Sequence, residues 1–187
     1  MQKPVERQHG PYTIKAGLLA GRAVARAFVT GGKPGVVAEA QGDSVEAAVA
    51  ALTDELDTRA AGEAAHRRID AITGYAVPTE AEFARALAVV KPHDAHWRLL
   101  RAHALAGEKG LPLKALTFDA GYHDDGATLH QMGIVADQIA GALGLPLPAA
   151  PPRKDADPAL AILATVAGGA TWVMHPELRA AVLAHTP

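Results

Sequence analysis

Short runs of alternating polar and apolar positions open the chain, and a longer period replaces them after residue 44. Tyr12 to Ala16 and Arg22 to Val29 predict two strands, with Ala20-Gly21 as the turn between them. In the second run Val24 and Phe28 share a face by even spacing, while Arg22 and Ala25 break a strict alternation. Gly31-Gly-Lys-Pro-Gly35 is a turn signal, and Val36 to Ala40 predicts a third short strand. Val45, Val49, Leu52 and Leu56 then fall at i, i+4, i+7 and i+11. That is one stripe of a helix opening after Asp43 or Ser44. Glu55 precedes Arg59 by four residues, an ion-pair spacing on a helix. Residues 1–62 therefore read as a ββ(β)α unit, a small N-terminal β-sheet with one helix.

Residues 63–91 read as a helical connector. A helical extension runs through His66 and Ile69, and Thr79-x-x-Glu82 forms a capping box ahead of Phe83, Leu87 and Val90. Beyond Pro92, helices are predicted at about 93–106, 112–120 and 127–143. Leu145 to Pro152 reads as an extended, exposed linker. Ala159 to Val166 and Ala170 to Met174 read as a hairpin around Gly168-Gly169, and Pro176 opens a short last helix through Leu183. Helix, helix, short turn, helix and hairpin, in that order, describe a winged helix-turn-helix. The predicted fold is α+β, with a helical winged-helix-like domain and β-hairpin at residues 92–187.

Composition narrows the chemistry. The chain has 187 residues, 49% of them apolar, which is enough to bury a core. It holds no cysteine, no asparagine, and Ser44 as its only serine. Nucleophilic hydrolase designs need a Ser or Cys beside a base, and Ser44 is placed to cap a helix instead. Thiolate metal sites and disulfides are excluded. No apolar run reaches the roughly 20 residues of a membrane span, and Met1 to Gly10 lacks the apolar stretch of a secretory signal. The expectation is a cytoplasmic protein with no membrane association and no cofactor. The abundance of alanine reads as the codon bias of a GC-rich bacterial genome. Net charge is −2, and neither half is basic enough for a DNA-binding domain by charge alone.

From about His96 to Leu183 four short motifs stand out: Leu100-Arg-Ala-His103, Ala120-Gly-Tyr122, Gly126-Ala-Thr-Leu-His-Gln-Met-Gly133 and Trp172-Val-Met-His-Pro-Glu-Leu178. They resemble a family of uncharacterised bacterial proteins with a winged-helix-like C-terminal module, some members linked to HNH nucleases. The family's central stretch reads G-A-x-N-x-Q-Y-G. Gln131 and Gly133 match it, whereas Leu129 takes the Asn position and Met132 the Tyr position. An HNH centre is excluded, because its constellation uses an Asn that this chain lacks. The resemblance implies a DNA-associated accessory or regulator in a restriction, phage or mobile-element setting.

Candidate residues follow from these patterns. In a DNA-reading helix over 127–143, Leu129, Met132, Ala136, Ile139 and Leu143 would face the core. Thr128, His130, Gln131, Asp137 and Gln138 would face outward, Gln131 to read adenine and Thr128 to meet a phosphate or a thymine methyl. Charge opposes this: no Lys or Arg lies between Lys114 and Arg153, while Asp119, Asp124, Asp125 and Asp137 do. A second DNA surface would draw on Arg22, Arg26 and Lys33 of the hairpin and on Arg98 and Arg101, one helical turn apart, if they converged with Arg67 and Arg68. His93 and His96, spaced i, i+3, with Asp124 are the candidate metal set. The alternative buries His96 and His103 in hydrogen bonds and lets Asp124 or Asp125 cap a helix. Trp97 and Trp172, among apolar neighbours, read as core anchors. The leading expectation is a non-catalytic interaction protein that docks a protein partner or a second copy of itself, an edge strand offering one surface for homodimerisation. A double-stranded DNA-binding accessory and a metal-dependent enzyme are the alternatives.

Overall fold

A computed structural model describes residues 5–30, 35–149, 151–154 and 156–185. The chain is mixed α+β and divides into two compact units, Met1–His66 with Ala142–Gly144, and Arg67–Gly141 with Leu145–Pro187. Lys33 and the Gly31-Gly32 turn lie outside the described residues. Among the described residues no helix is long and apolar enough to cross a membrane.

The first unit is an antiparallel meander in the order β1 (Val5–His9), β2 (Tyr12–Leu19), β3 (Arg22–Val29) and β4 (Ala38–Gly42), followed by α1 (Val45–Ala65). Ala20 and Gly21 join β2 to β3 with φ of 51° and 81°, the left-handed pair that a two-residue hairpin turn needs. Alternation on β3 is strict after all. Ala23, Ala25 and Ala27 are buried on the helix side together with Ile14 and Ala16, while Arg22, Val24, Arg26 and Phe28 take the other face. Alanine hid the pattern, because a core residue that small does not stand out from its neighbours by hydrophobicity. β1 was not predicted: its sequence, Val-Glu-Arg-Gln-His, is exposed at four of five positions. β4 starts two residues later than expected, leaving Val36 and Val37 exposed.

Val49, Leu52 and Leu56 bury against the alanine face, as their spacing predicts, and the Ser44 hydroxyl accepts from the Ala47 N–H at 3.1 Å to cap α1. Arg59 pairs with Glu63 at 3.4 Å, one turn ahead, rather than with Glu55.

The second unit opens with a small hairpin, β5 (Arg68–Ile69) and β6 (Ala76–Val77), where a helical extension was expected. The Asp70 carboxylate fixes the turn by accepting from the Ile72 N–H, the Thr73 N–H and the Thr73 hydroxyl at 2.8 to 3.2 Å. α2 (Glu80–Val90) carries the predicted capping box of Thr79 and Glu82, and ends on Lys91 in the left-handed region just before Pro92. Next come α3 (Asp94–Leu105), β7 (Leu111–Pro112), α4 (Leu113–Asp119), α5 (Asp125–Leu143), β8 (Ala164–Ala167), β9 (Thr171–Met174) and α6 (Pro176–Ala184).

β7, β9 and β8 form an antiparallel sheet in that order, with Leu111 opposite Trp172. Gly110 lets the chain enter this sheet at φ 63°, where a Cβ would run into the Trp172 carbonyl. Residues 158–162 form a 3-10 turn, not the strand predicted from Ala159. Pro158 sits in its first turn and Asp157 caps it by accepting from the Ala159 N–H at 2.9 Å. Pro148 and Pro152 are buried, so the proline-rich stretch is not wholly exposed. Trp172, Phe83, Leu116, Met132, Ile139 and Ile162 lie in the core of this unit.

Candidate functional site

α4 and α5 meet at a turn whose polar groups satisfy one another. The Asp124 carboxylate accepts from the Ala127 N–H at 2.6 Å, opening α5 as a helix cap. The Thr128 hydroxyl donates to the Asp124 carbonyl at 3.1 Å and is fully buried, so Thr128 does not face outward as predicted. Thr117 donates to the Asp125 carboxylate at 2.8 Å. Gln131 Oε1 accepts from His96 Nε2 at 2.8 Å, tying α5 to α3. Both residues predicted to read DNA from this helix are thus engaged inside the fold. His130, Asp137 and Gln138 do face solvent. Beside the turn lies a cavity of about 500 Å³ lined by Lys114, Phe118, Tyr122, His123 and Asp124. Phe118 stands at it 81% exposed.

The histidines His93, His96, His103 and His175 are taken up by hydrogen bonds within the fold. His93 caps α3, its Nδ1 accepting from the His96 N–H at 3.4 Å, and its ring stacks on that of His96 with centroids 3.6 Å apart. Burial lowers the pKa of His96, although its bond to Gln131 acts the other way. His103 donates from Nε2 to the Trp172 carbonyl at 3.2 Å, and burial pushes it down to about 4. His175 donates from Nε2 to the Ala161 carbonyl at 2.9 Å, which leaves Nδ1 facing the Arg68 guanidinium at 3.4 Å. Burial lowers it as well. Among the described residues no group of three or more His, Asp and Glu side chains is placed to hold a metal ion. The set His93, His96 and Asp124 is not assembled: one caps α3, one bonds Gln131 and one caps α5.

The predicted basic surfaces fare differently from one another. Arg22 and Arg26 share the open face of β3, and Arg26 Nε sits 2.6 Å from Glu39 while Lys15 sits 3.7 Å from Glu6. Arg67 is half-buried against Glu82 at 2.6 Å, and Arg68 holds Glu177 at 2.9 Å, so neither is a free cation for a phosphate. Burial pushes the Glu82 carboxyl up, but the hydrogen bonds from Arg67 and Thr79 outweigh it and hold the group below its ordinary value.

Arg98 and Arg101 do meet, and around an unexpected residue. Trp97 is not a core anchor. Its ring is half-exposed and stacks on the His185 imidazole, centroids 4.2 Å apart and planes within 7°. The Arg101 guanidinium lies 6.0 Å from the Trp97 centroid and donates to the His185 carbonyl at 3.3 Å. With Asp94 and Arg98 these groups line a cavity of about 240 Å³. The signal was present as Trp97-Arg98 and Arg101 at i, i+1 and i+4, but the adjacent Leu99 and Leu100 drew Trp97 into the predicted core. Trp172, by contrast, is fully buried as predicted.

The chain matches no family model, no curated protein and no solved structure.

Proposed function

We propose that this chain is a non-catalytic interaction protein that docks a protein, a partner or a second copy of itself, through the α4–α5 surface of its second unit. The observation that carries this reading is Phe118. A phenylalanine 81% exposed beside a cavity of about 500 Å³ is the kind of aromatic anchor and adjoining socket that dominates protein interfaces.

The order α3, β7, α4, α5, β8, β9, with β9 between β7 and β8, agrees with a winged-helix reading of this unit. In a DNA-binding winged helix α5 would enter the major groove. Its solvent side carries His130, Asp137 and Gln138, and no Lys or Arg occurs from Ala115 to Pro152. A duplex would meet negative charge there without cationic phosphate contacts. The same scaffold therefore supports a protein contact better than a DNA contact. The second reading is a DNA-binding accessory of a restriction, phage or mobile-element system. It is favoured by the winged-helix order alone and would require its basic contacts from elsewhere.

A photo-crosslinking benzophenone side chain at position 118 tests the first reading, paired with anisotropy of labelled duplex DNA across a salt series. Protein adducts, with no duplex binding even at low salt, are the expected result. Nucleic-acid adducts, or duplex binding that weakens steeply with salt, would overturn it in favour of the second.

A further inference from the structure

The cavity between α3 and the end of α6 has a composition that the docking reading does not use. Arg26, Arg59, Arg67, Arg68 and Arg179 each sit against a carboxylate. Arg98 and Arg101, which line this cavity, make no ion pair with any described carboxylate. Two guanidiniums one turn apart on α3, neither paired with a carboxylate, outnumber the one carboxylate of the cavity, Asp94, and present a forked set of donors to an anion. The half-exposed indole of Trp97 lines the same cavity with the Arg101 guanidinium 6.0 Å from its centroid, and it already holds one flat heterocycle, the His185 imidazole, at 4.2 Å and 7°. The site thus accepts ring stacking and negative charge together. Asp94 at its edge adds an exposed carboxylate, an acceptor for a hydroxyl or an exocyclic amine. About 240 Å³ is below the roughly 300–1,000 Å³ of drug-sized sites and suits a single ring system with its charged group left at the mouth.

We infer that this cavity binds a single unstacked nucleotide, its base on Trp97 and its phosphate between Arg98 and Arg101. The base takes the place of the His185 ring, which is exposed and follows the last residue of α6. A duplex does not fit the cavity, because its bases are already stacked on each other. The ligand is either a free nucleotide or one nucleotide of a single strand, and both supply the same base and phosphate chemistry.

The chain has two tryptophans, Trp97 in the cavity and Trp172 fully buried, so intrinsic fluorescence reports on the site. The intact chain is titrated with adenosine monophosphate, with adenosine, with inorganic phosphate and with a short single-stranded oligonucleotide. Saturable quenching by adenosine monophosphate, weaker with adenosine, marks the free nucleotide as the source. Quenching by the oligonucleotide alone marks a single strand. Calorimetry on variants gives the second readout. Trp97→Ala weakens binding by about 5- to 150-fold, the range for removing one base–aromatic stack, and Trp97→Phe restores most of it. Arg98→Gln with Arg101→Gln removes the preference for adenosine monophosphate over adenosine. All three side chains replaced are at the surface or half-exposed, and an unchanged circular-dichroism melt verifies folding. No quenching by any probe, or inorganic phosphate competing as well as the nucleotide, overturns the inference. Neither result touches the docking surface at Phe118.

Discussion

In the unit built on β1 to β4 the core is apolar and mostly small: Ile14, Ala16, Ala23, Ala25, Ala27 and Ala48, closed by Val49, Leu52 and Leu56 from one helix. The unit beginning at Arg67 is built otherwise. Around Trp172 and Phe83 it also buries Asp70, Glu82, His96, His103, Thr128 and His175. Burying a polar group is unfavourable unless it is hydrogen-bonded, and here each has a named partner. The first unit thus rests on close packing of a helix onto alanines. The second depends also on protonation states, because its histidines must stay neutral and its carboxylates charged.

Truncations of the two cores separate these designs most strongly. Trp172→Ala should destabilise the second unit by about 4 kcal/mol, through lost contacts and a cavity. Leu52→Ala should cost the first unit about 3 kcal/mol by the same mechanism. Urea unfolding followed by NMR cross-peaks assigned to each unit measures both. Loss confined to the unit carrying the substitution sharpens the comparison, while equal loss in both breaks it and makes the chain one cooperative body.

Acid comes next. His103, at about 4 when folded against an ordinary 6.5, makes about 3 kcal/mol of the fold's stability conditional on the ring staying neutral. An unfolded histidine takes up a proton as pH falls through 6.5 and the folded one does not. That stability is therefore complete above pH 6.5 and is lost progressively down to about 4. His96 and His175, also lowered by burial, act with the same sign. Below the ordinary carboxylate range Glu82 and Asp70, held low by their partners, add a further loss. Urea midpoints at about pH 7 and about pH 5 should fall for the second unit and stay level for the first. His103→Gln should flatten the slope. An equal drop in both units contradicts the assignment.

The smallest effect sharpens the other side. Ser44→Ala removes the hydroxyl that caps α1 and should cost the first unit about 1 kcal/mol, with no pH dependence, by the same NMR-detected titration.

Much of this was legible from residues alone, since local rules act over a few positions. The stripe Val49, Leu52 and Leu56, the cap at Ser44, the box at Thr79 and Glu82, the turn at Ala20-Gly21 and the α+β class itself all follow from spacing and turn chemistry. β1 was not legible, because an exposed edge strand needs no apolar alternation once its neighbour supplies the hydrogen bonds. The 3-10 turn at 158–162 was hidden by a run of residues apolar on every side, which fits a buried strand or a buried helical turn equally well.

The sites divide along the same line. That Thr128 points inward, that Gln131 is held by His96 thirty-five residues away, and that Arg67 and Arg68 are held by carboxylates are outcomes of tertiary contact. The gathering of Trp97, Arg98 and Arg101 against His185 likewise joins two helices far apart in the chain. The sequence by itself determined the main helices, the hairpin turn at Ala20-Gly21, and which nucleophiles and thiolate ligands the chain lacks. Only the tertiary structure decided which polar side chains remain free for a partner. A charge or a ring counts as available only after every long-range neighbour has taken its share of hydrogen bonds, and spacing along one segment carries no record of those neighbours.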